Sequence, residues 1–183
     1  MALPPVLHDF DVTLSHVDRS LDQRLAVRTA RHPSELMPRL WLRVLAYCLH
    51  YEERIAFGPG LCDPEAPDLE AFDLVGERTL WIRVGKAEPS KIQRVADRNP
   101  GARICVLFES PERMAAFVEA ARAEGLKRME RLELAAIDSQ LLAQLAESEQ
   151  RRARLSLTIV GDHFYVERDG RSIDGPLERA SLA

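Results

Sequence analysis

The sequence predicts an α/β fold, a mixed central sheet flanked by helices, on three observations. Apolar and polar residues alternate near both ends of the chain, the period of strands that bury one face. Between residues 37 and 49 apolar residues recur at helical spacing. In the remainder, strand-like and helix-like segments take turns with no repeat, low-complexity stretch or long linker, so residues 1–183 are expected to form one domain.

His8, Phe10, Val12 and Leu14 form one alternating run and Leu25, Val27 and Thr29 another, giving two strands separated by the polar residues 18–23. Pro33 suits a first helical turn, where its missing N–H would have no intrahelical partner anyway. Met37, Leu40, Trp41, Val44, Leu45, Cys48 and Leu49 then line one apolar face to about His50, with Pro38 still close to the helix start. Residues 53–57 read as a short strand stopped by Gly58-Pro59-Gly60. Residues 67–74 and 79–84 read as a hairpin around Val75-Gly76-Glu77-Arg78.

Residues 89–98 place Ile92, Val95 and Ala96 on the inner side of a helix that Asn99-Pro100-Gly101 ends. Residues 103–108 are a nearly continuous apolar strand, and residues 112–124 a crossover helix with Gly125 just past its end. A strand at 129–134 follows, then a helix capped by Asp138 and reaching about Ser148. Leu155, Leu157 and Ile159 open a C-terminal β-hairpin with turns at Gly161-Asp162 and Asp169-Gly170. The predicted order is ββ, αβββαβ, then αβαββ.

Composition limits the function classes. Hydrophobic residues make up 46% and charged residues 30%, ordinary for a globular chain of 183 residues. The apolar-rich stretch 40–49 is interrupted by Arg43 and falls far short of the ~20 residues of a membrane span. Met1-Ala2-Leu3-Pro4-Pro5 has neither the basic flank nor the apolar run of a secretory signal, so a cytoplasmic location is expected. Cys48, Cys62 and Cys105 are widely spaced and read as buried free thiols. With a net charge of −4, a nucleic-acid surface would have to be a local basic patch.

Arg31-His32-Pro33-Ser34-Glu35, Glu53-Arg54, Phe57, Gly60-Leu61, Pro67-Asp68 and Leu80-Trp81-Ile82-Arg83-Val84-Gly85 together resemble the YaeQ family. The likeness covers nearly the whole chain. Its specific parts are the Arg-His-Pro-Ser-Glu and Leu-Trp-Ile blocks, since Pro-Asp alone is frequent in loops. The resemblance implies a PD-(D/E)XK restriction-endonuclease-like core, αβββαβ, with added N-terminal strands and a C-terminal hairpin. In that superfamily an acid comes from the second strand, an acid and a lysine from the third, and often a glutamate from the helix. Clustered carboxylates hold magnesium, the metal activates water, and the lysine orients the nucleophile.

Carried over, the resemblance assigns Glu35 and Asp68, with Lys86 as the nearest lysine, to catalysis, and Glu35, Asp68 and Glu70 to magnesium. Arg83 stands in the slot of the third-strand acid and Gly85 in that of the lysine. A guanidinium for a carboxylate changes the local charge by about two units. Pairing Leu74 with Thr79 would set Asp68 opposite Gly85 and Glu70 opposite Arg83, a cross-strand ion pair. Strict alternation would point Lys86 to the other face unless the strand ends or bulges there.

Three functions stay open at this point: a magnesium-dependent nuclease or phosphodiesterase with an altered site, a non-catalytic nucleic-acid-binding or regulatory interaction module, and a protein-interaction module with an unknown protein partner. Arg83, Lys86, Lys91 and Arg94 are the expected nucleic-acid contacts, with Arg98 on a similar side of the helix, against the alternative of a solvated helix face. Glu35 lies four residues before Arg39 and could equally stabilise a helix start, and Trp81 belongs with packing. His8, His16, His32, His50 and His163 show no metal-ligand spacing. No Gly-x-Ser-x-Gly elbow occurs, and Gly58-Pro59-Gly60 lacks the lysine and hydroxyl of a phosphate-binding loop.

Overall fold

A computed structural model of the chain describes residues 3–59, 61, 63 and 65–180. The expected thiol at Cys62 and the part of Gly60 in the 58–60 turn lie outside the described residues, as do Met1 and Ala2.

The two N-terminal strands, β1 (Val6–His16) and β2 (Leu21–Arg31), pair antiparallel over their full length. They are longer than the apolar alternation suggests, because their solvent face is held by ions. Arg28 donates to Asp9 at 2.5 Å, and Arg24 lies 3.4 Å from Asp11. The expected polar connection 18–23 shrinks to a 3-10 turn, Val17–Arg19, and Ser20.

Helix α1 runs Met37–Leu49. Pro33 is therefore not in its first turn; Pro38 is, and residues 32–35 form a separate turn in which the Glu35 N–H donates to the His32 carbonyl at 2.8 Å. Leu42 and Ala46 are as buried as Leu40, Trp41 and Leu45, so the helix is covered on nearly all sides rather than along one stripe.

After α1 come β3 (Ala56–Phe57), β4 (Leu69–Phe72), β5 (Arg78–Val84), α2 (Pro89–Arg98) and β6 (Arg103–Phe108). The expected helix, three strands, helix and strand are thus present in that order. Next are α3 (Pro111–Ala123), β7 (Leu132–Ile137) and α4 (Ser139–Ala146), whose first turn is capped by Asp138 Oδ2 accepting from the Leu141 N–H. The chain closes with β8 (Arg152–Val160), β9 (His163–Arg168) and β10 (Arg171–Arg179). This is a three-stranded meander where a hairpin was expected, since both predicted turns are used and Ile173 and Leu177 supply a third inward face.

Among the described residues the strands join in one mixed sheet, β2-β1-β8-β9-β10-β7-β6-β5-β4-β3. Pairs β1/β8, β5/β6 and β6/β7 are parallel and the rest antiparallel. The sheet curls into a nearly closed barrel around α1, so that Phe10, Val12 and Leu157 from one half and Leu80, Ile82 and Leu107 from the other share a core with Trp41. On the outer face, α2 and α3 bury Ile92, Met114 and Phe117 against Trp81, Val106 and Leu134. Trp81 packs as expected, at 3% exposure. Cys48 and Cys105 are buried free thiols. Among the described residues no helix is long and apolar enough to cross a membrane.

The β4–β5 register differs from expectation. Leu69 pairs with Ile82, Glu70 with Trp81 and Ala71 with Leu80, and a bulge at Ala71/Phe72 shifts the next pair to Phe72 with Arg78. The connection is longer than a tight turn, with Asp73 Oδ1 accepting from the Val75 and Glu77 amides. Glu70 consequently pairs with Arg78 at 2.8 Å and not with Arg83.

Candidate functional site

A buried ionic network joins the turn before α1, the helix itself and the start of β4. Glu35 is 3% exposed although it precedes the helix, because two arginines of α1 reach back to it. Arg39 Nη1 donates to Glu35 Oε1 at 2.7 Å, and Arg43 forks onto both oxygens, at 2.9 and 2.7 Å. The spacing from Glu35 to Arg39 and Arg43 is one and two helical turns, which puts both guanidinium groups on the side facing the turn. Arg43 gives two further donors to Thr29 Oγ1 and the Ala30 carbonyl of β2, at 2.9 and 2.8 Å. Four of the five N–H donors of this buried arginine thereby have acceptors.

Asp68 is fully buried just before β4. Its Oδ1 accepts from Arg39 Nη2 at 2.5 Å, its Oδ2 accepts from the Val84 N–H at 2.9 Å, and Arg83 Nη1 lies 3.7 Å from Oδ2. The backbone fixes it as well: the Asp68 N–H donates to the Ile82 carbonyl, and its own carbonyl accepts from the Gly58 N–H. Burial opposes the charge on Arg39, but Asp68 and Glu35 outweigh it and hold its pKa above the ordinary value. Glu35 and Asp68, expected to converge, do so through the guanidinium of Arg39. Three arginines meet two carboxylates here.

Arg39 and Arg83 also line a cleft of about 300 Å³. Lys86, at the end of the sheet, and Lys91, Arg94 and Arg98, on one face of α2, complete a set of six cations against Glu65 and Glu88, over a floor that includes Trp81, Ile92 and Val95. Lys91 is paired with Glu88 at 3.1 Å, and Arg83 Nη1 also donates to the Ala66 carbonyl at 3.0 Å. Lys86 reaches the cleft because β5 stops at Val84 and Gly85 takes φ +74, a left-handed turn that breaks the alternation. All four expected contact residues, Arg83, Lys86, Lys91 and Arg94, therefore share one cavity wall.

Glu70 is separated from Glu35 and Asp68 by its own pairing with Arg78, beside a second cleft that borders the first. Sequence reasoning named the Glu35–Arg39 pair as a helix-start contact, and it is present at 2.7 Å, but missed Arg43 and the tie from Arg39 to Asp68. The available signal was Arg43 itself, a charge set within an apolar helical run with Glu35 two turns before it.

The model of the YaeQ protein family matches residues 1–175. The YaeQ protein of Escherichia coli (strain K12) is 25% identical over 174 residues, covering 95% of this chain and 94% of that protein. That of Salmonella typhi is 28% identical over 159 residues, covering 87% and 86%. Two crystal structures share the fold. The YaeQ protein from Pseudomonas syringae gives a TM-score of 0.87 at 25% identity, over 100% of this chain and 99% of that one. The one from Xanthomonas axonopodis pv. citri gives 0.86 at 25% identity, over 96% and 98%. With the family model spanning almost every element from β1 to β10, this chain belongs to the YaeQ family.

Proposed function

We propose that the chain binds phosphate groups of nucleic acid in the basic cleft between β5 and α2, as a non-catalytic module on a scaffold derived from PD-(D/E)XK nucleases. The order α1, β3, β4, β5, α2, β6 supports that ancestry, with Glu35 and Asp68 as the inherited acids. One observation carries the functional reading: Arg39 and Arg83, arriving from α1 and β5, both meet Asp68 and both line the cleft. The acids then act as anchors. Held by buried carboxylates, two guanidinium groups are oriented in advance, which lowers the entropy lost when a phosphate binds.

A magnesium ion fits this donor set poorly. It demands oxygen ligands at about 2.0–2.1 Å in near-octahedral array. Both Glu35 oxygens and Asp68 Oδ1 already accept from arginine, and Asp68 Oδ2 from the Val84 amide. The guanidinium of Arg83 beside Asp68 opposes a divalent cation directly. Lys86 is accordingly a phosphate contact in this reading rather than a catalytic lysine.

Fluorescence anisotropy with single-stranded DNA, duplex DNA and RNA, titrated across salt concentration, tests the proposal. Binding should weaken steeply with salt, and K86A combined with R94A should lower both affinity and the salt slope, by about one to two in the slope. Salt-independent binding, or no binding to any of the three, would reject it. In parallel, magnesium- or manganese-dependent cleavage that D68N abolishes would reject the non-catalytic part and restore the nuclease reading.

A further inference from the structure

We propose that His50, Cys105 and Glu133 form a binding site for a divalent metal ion of the zinc class, apart from the basic cleft. The three come from different elements. His50 directly follows α1, Cys105 lies in β6 and Glu133 in β7. Cys105 and Glu133 are register partners in the parallel pair, so their side chains leave the same face of the sheet, the inner one, where the C-terminal end of α1 arrives. A nitrogen of His50, Cys105 Sγ and an oxygen of Glu133 all lie within 4.8 Å of one another, and the thiol stands 3.4 Å from Glu133 Oε2. Donors 2.0–2.3 Å from one tetrahedral zinc ion are roughly 3.3–3.8 Å apart. The thiol and carboxylate already have ligand spacing, and the imidazole has to close by at most about 1.5 Å.

The chemistry of the set selects the ion. One imidazole, one thiolate and one carboxylate suit zinc or cobalt, whereas magnesium and calcium take oxygen donors. Three protein ligands leave a fourth position for water or a small ligand. Burial lowers the pKa of His50 to about 4, so its ring offers a lone pair at neutral pH. Cys105 holds its proton without metal because burial raises its pKa. Binding therefore forms the metal–sulfur bond and releases that proton to solvent. Arg103 donates to both Glu133 oxygens at 2.9 Å, an outer partner that fixes the carboxylate while leaving Oε1 a free lone pair, and loss of the thiol proton frees one on Oε2. With side-chain exposures of 51% and 41%, Arg103 and Glu133 also open the site to entry from solvent. Arg19, Arg103 and Arg179 place positive charge near His50, which opposes a cation, and the thiolate and the Glu133 carboxylate supply the two negative charges that offset it.

Cobalt(II) titration read by absorption tests the assignment. The wild-type chain should take up one equivalent with a thiolate-to-cobalt charge-transfer band and the intense ligand-field bands of tetrahedral coordination, all lost on adding zinc. C105S should remove the band, and H50N should weaken cobalt binding at least about tenfold. Absence of the band in the wild type, persistence of the band in C105S, or wild-type affinity in H50N would each overturn the site. Should C105S fail to fold, H50N and E133Q decide the matter: about tenfold weaker binding in both supports the site, and unchanged binding in either rejects it.

Discussion

Arg39 donates from Nη2 to Asp68 Oδ1 at 2.5 Å, tying the first turn of α1 to the residue just before β4. The same guanidinium reaches Glu35 through Nη1. An arginine held on two sides also lines the basic cleft.

Removing Asp68 should therefore cost both stability and order at the cleft. D68A leaves Arg39 Nη2 and the Val84 amide without their acceptor where the fully buried carboxylate stood, and a loss of about 3–5 kcal/mol is expected in urea unfolding. D68N should lose less, since one oxygen still accepts.

The two arginine–glutamate pairs should differ sharply. R43M breaks a buried forked pair with Glu35, the side chains 3% and 2% exposed, and should destabilise by about 3–5 kcal/mol. R78M breaks the pair with Glu70, 30% and 24% exposed, and should cost about 1 kcal/mol or less. Paired unfolding curves of the two variants check the contrast.

Gly58 should tolerate no side chain. A Cβ there would stand 2.1 Å from the Pro67 carbonyl oxygen, while the Gly58 N–H holds the Asp68 carbonyl at 2.9 Å. G58A should force the two segments apart, with a loss of about 1–3 kcal/mol or more, and should weaken anion binding through displaced Asp68. Thermal unfolding and anisotropy on the same sample measure both effects.

Acid should destabilise the fold partly through His8. Both of its ring nitrogens are buried without partners, and burial first, then Arg31, lowers its pKa. The unfolded chain therefore binds a proton that the folded one refuses. Stability from this group is complete above its ordinary pKa of about 6.5 and is lost as pH falls from there toward the lowered folded value. H8L should flatten the stability profile between about pH 7 and pH 5 relative to wild type. An unchanged slope would assign the acid sensitivity elsewhere.

Much of the element order was legible because periodicity reports which residues turn inward. Phe10, Val12 and Leu14, or Met114 and Phe117, declare their buried faces locally. The meeting of Glu35 and Asp68 was legible only through the family layout. What failed was whatever depends on distant or irregular backbone. The bulge at Ala71/Phe72 re-registers the hairpin, which gives Glu70 to Arg78, and nothing in residues 67–84 announces it. The start of α1 was misplaced because Pro33 and Pro38 suit a helix start equally, and the ionic hold of Arg39 and Arg43 on Glu35 decides between them. His50, Cys105 and Glu133 have no shared spacing in the chain, and only the parallel pairing of β6 and β7 under the end of α1 gathers them.

The enclosure of α1 bears on how the protein opens. No partial fraying of the barrel wall exposes a helix that both halves of the wall touch, so the amide hydrogens of Leu42 to Leu45 should exchange with deuterated solvent only when the entire chain unfolds. Those amides should be the slowest in the molecule, with a protection free energy equal to that of global unfolding. The outer helices α2 and α3, covered on one side only, should exchange earlier.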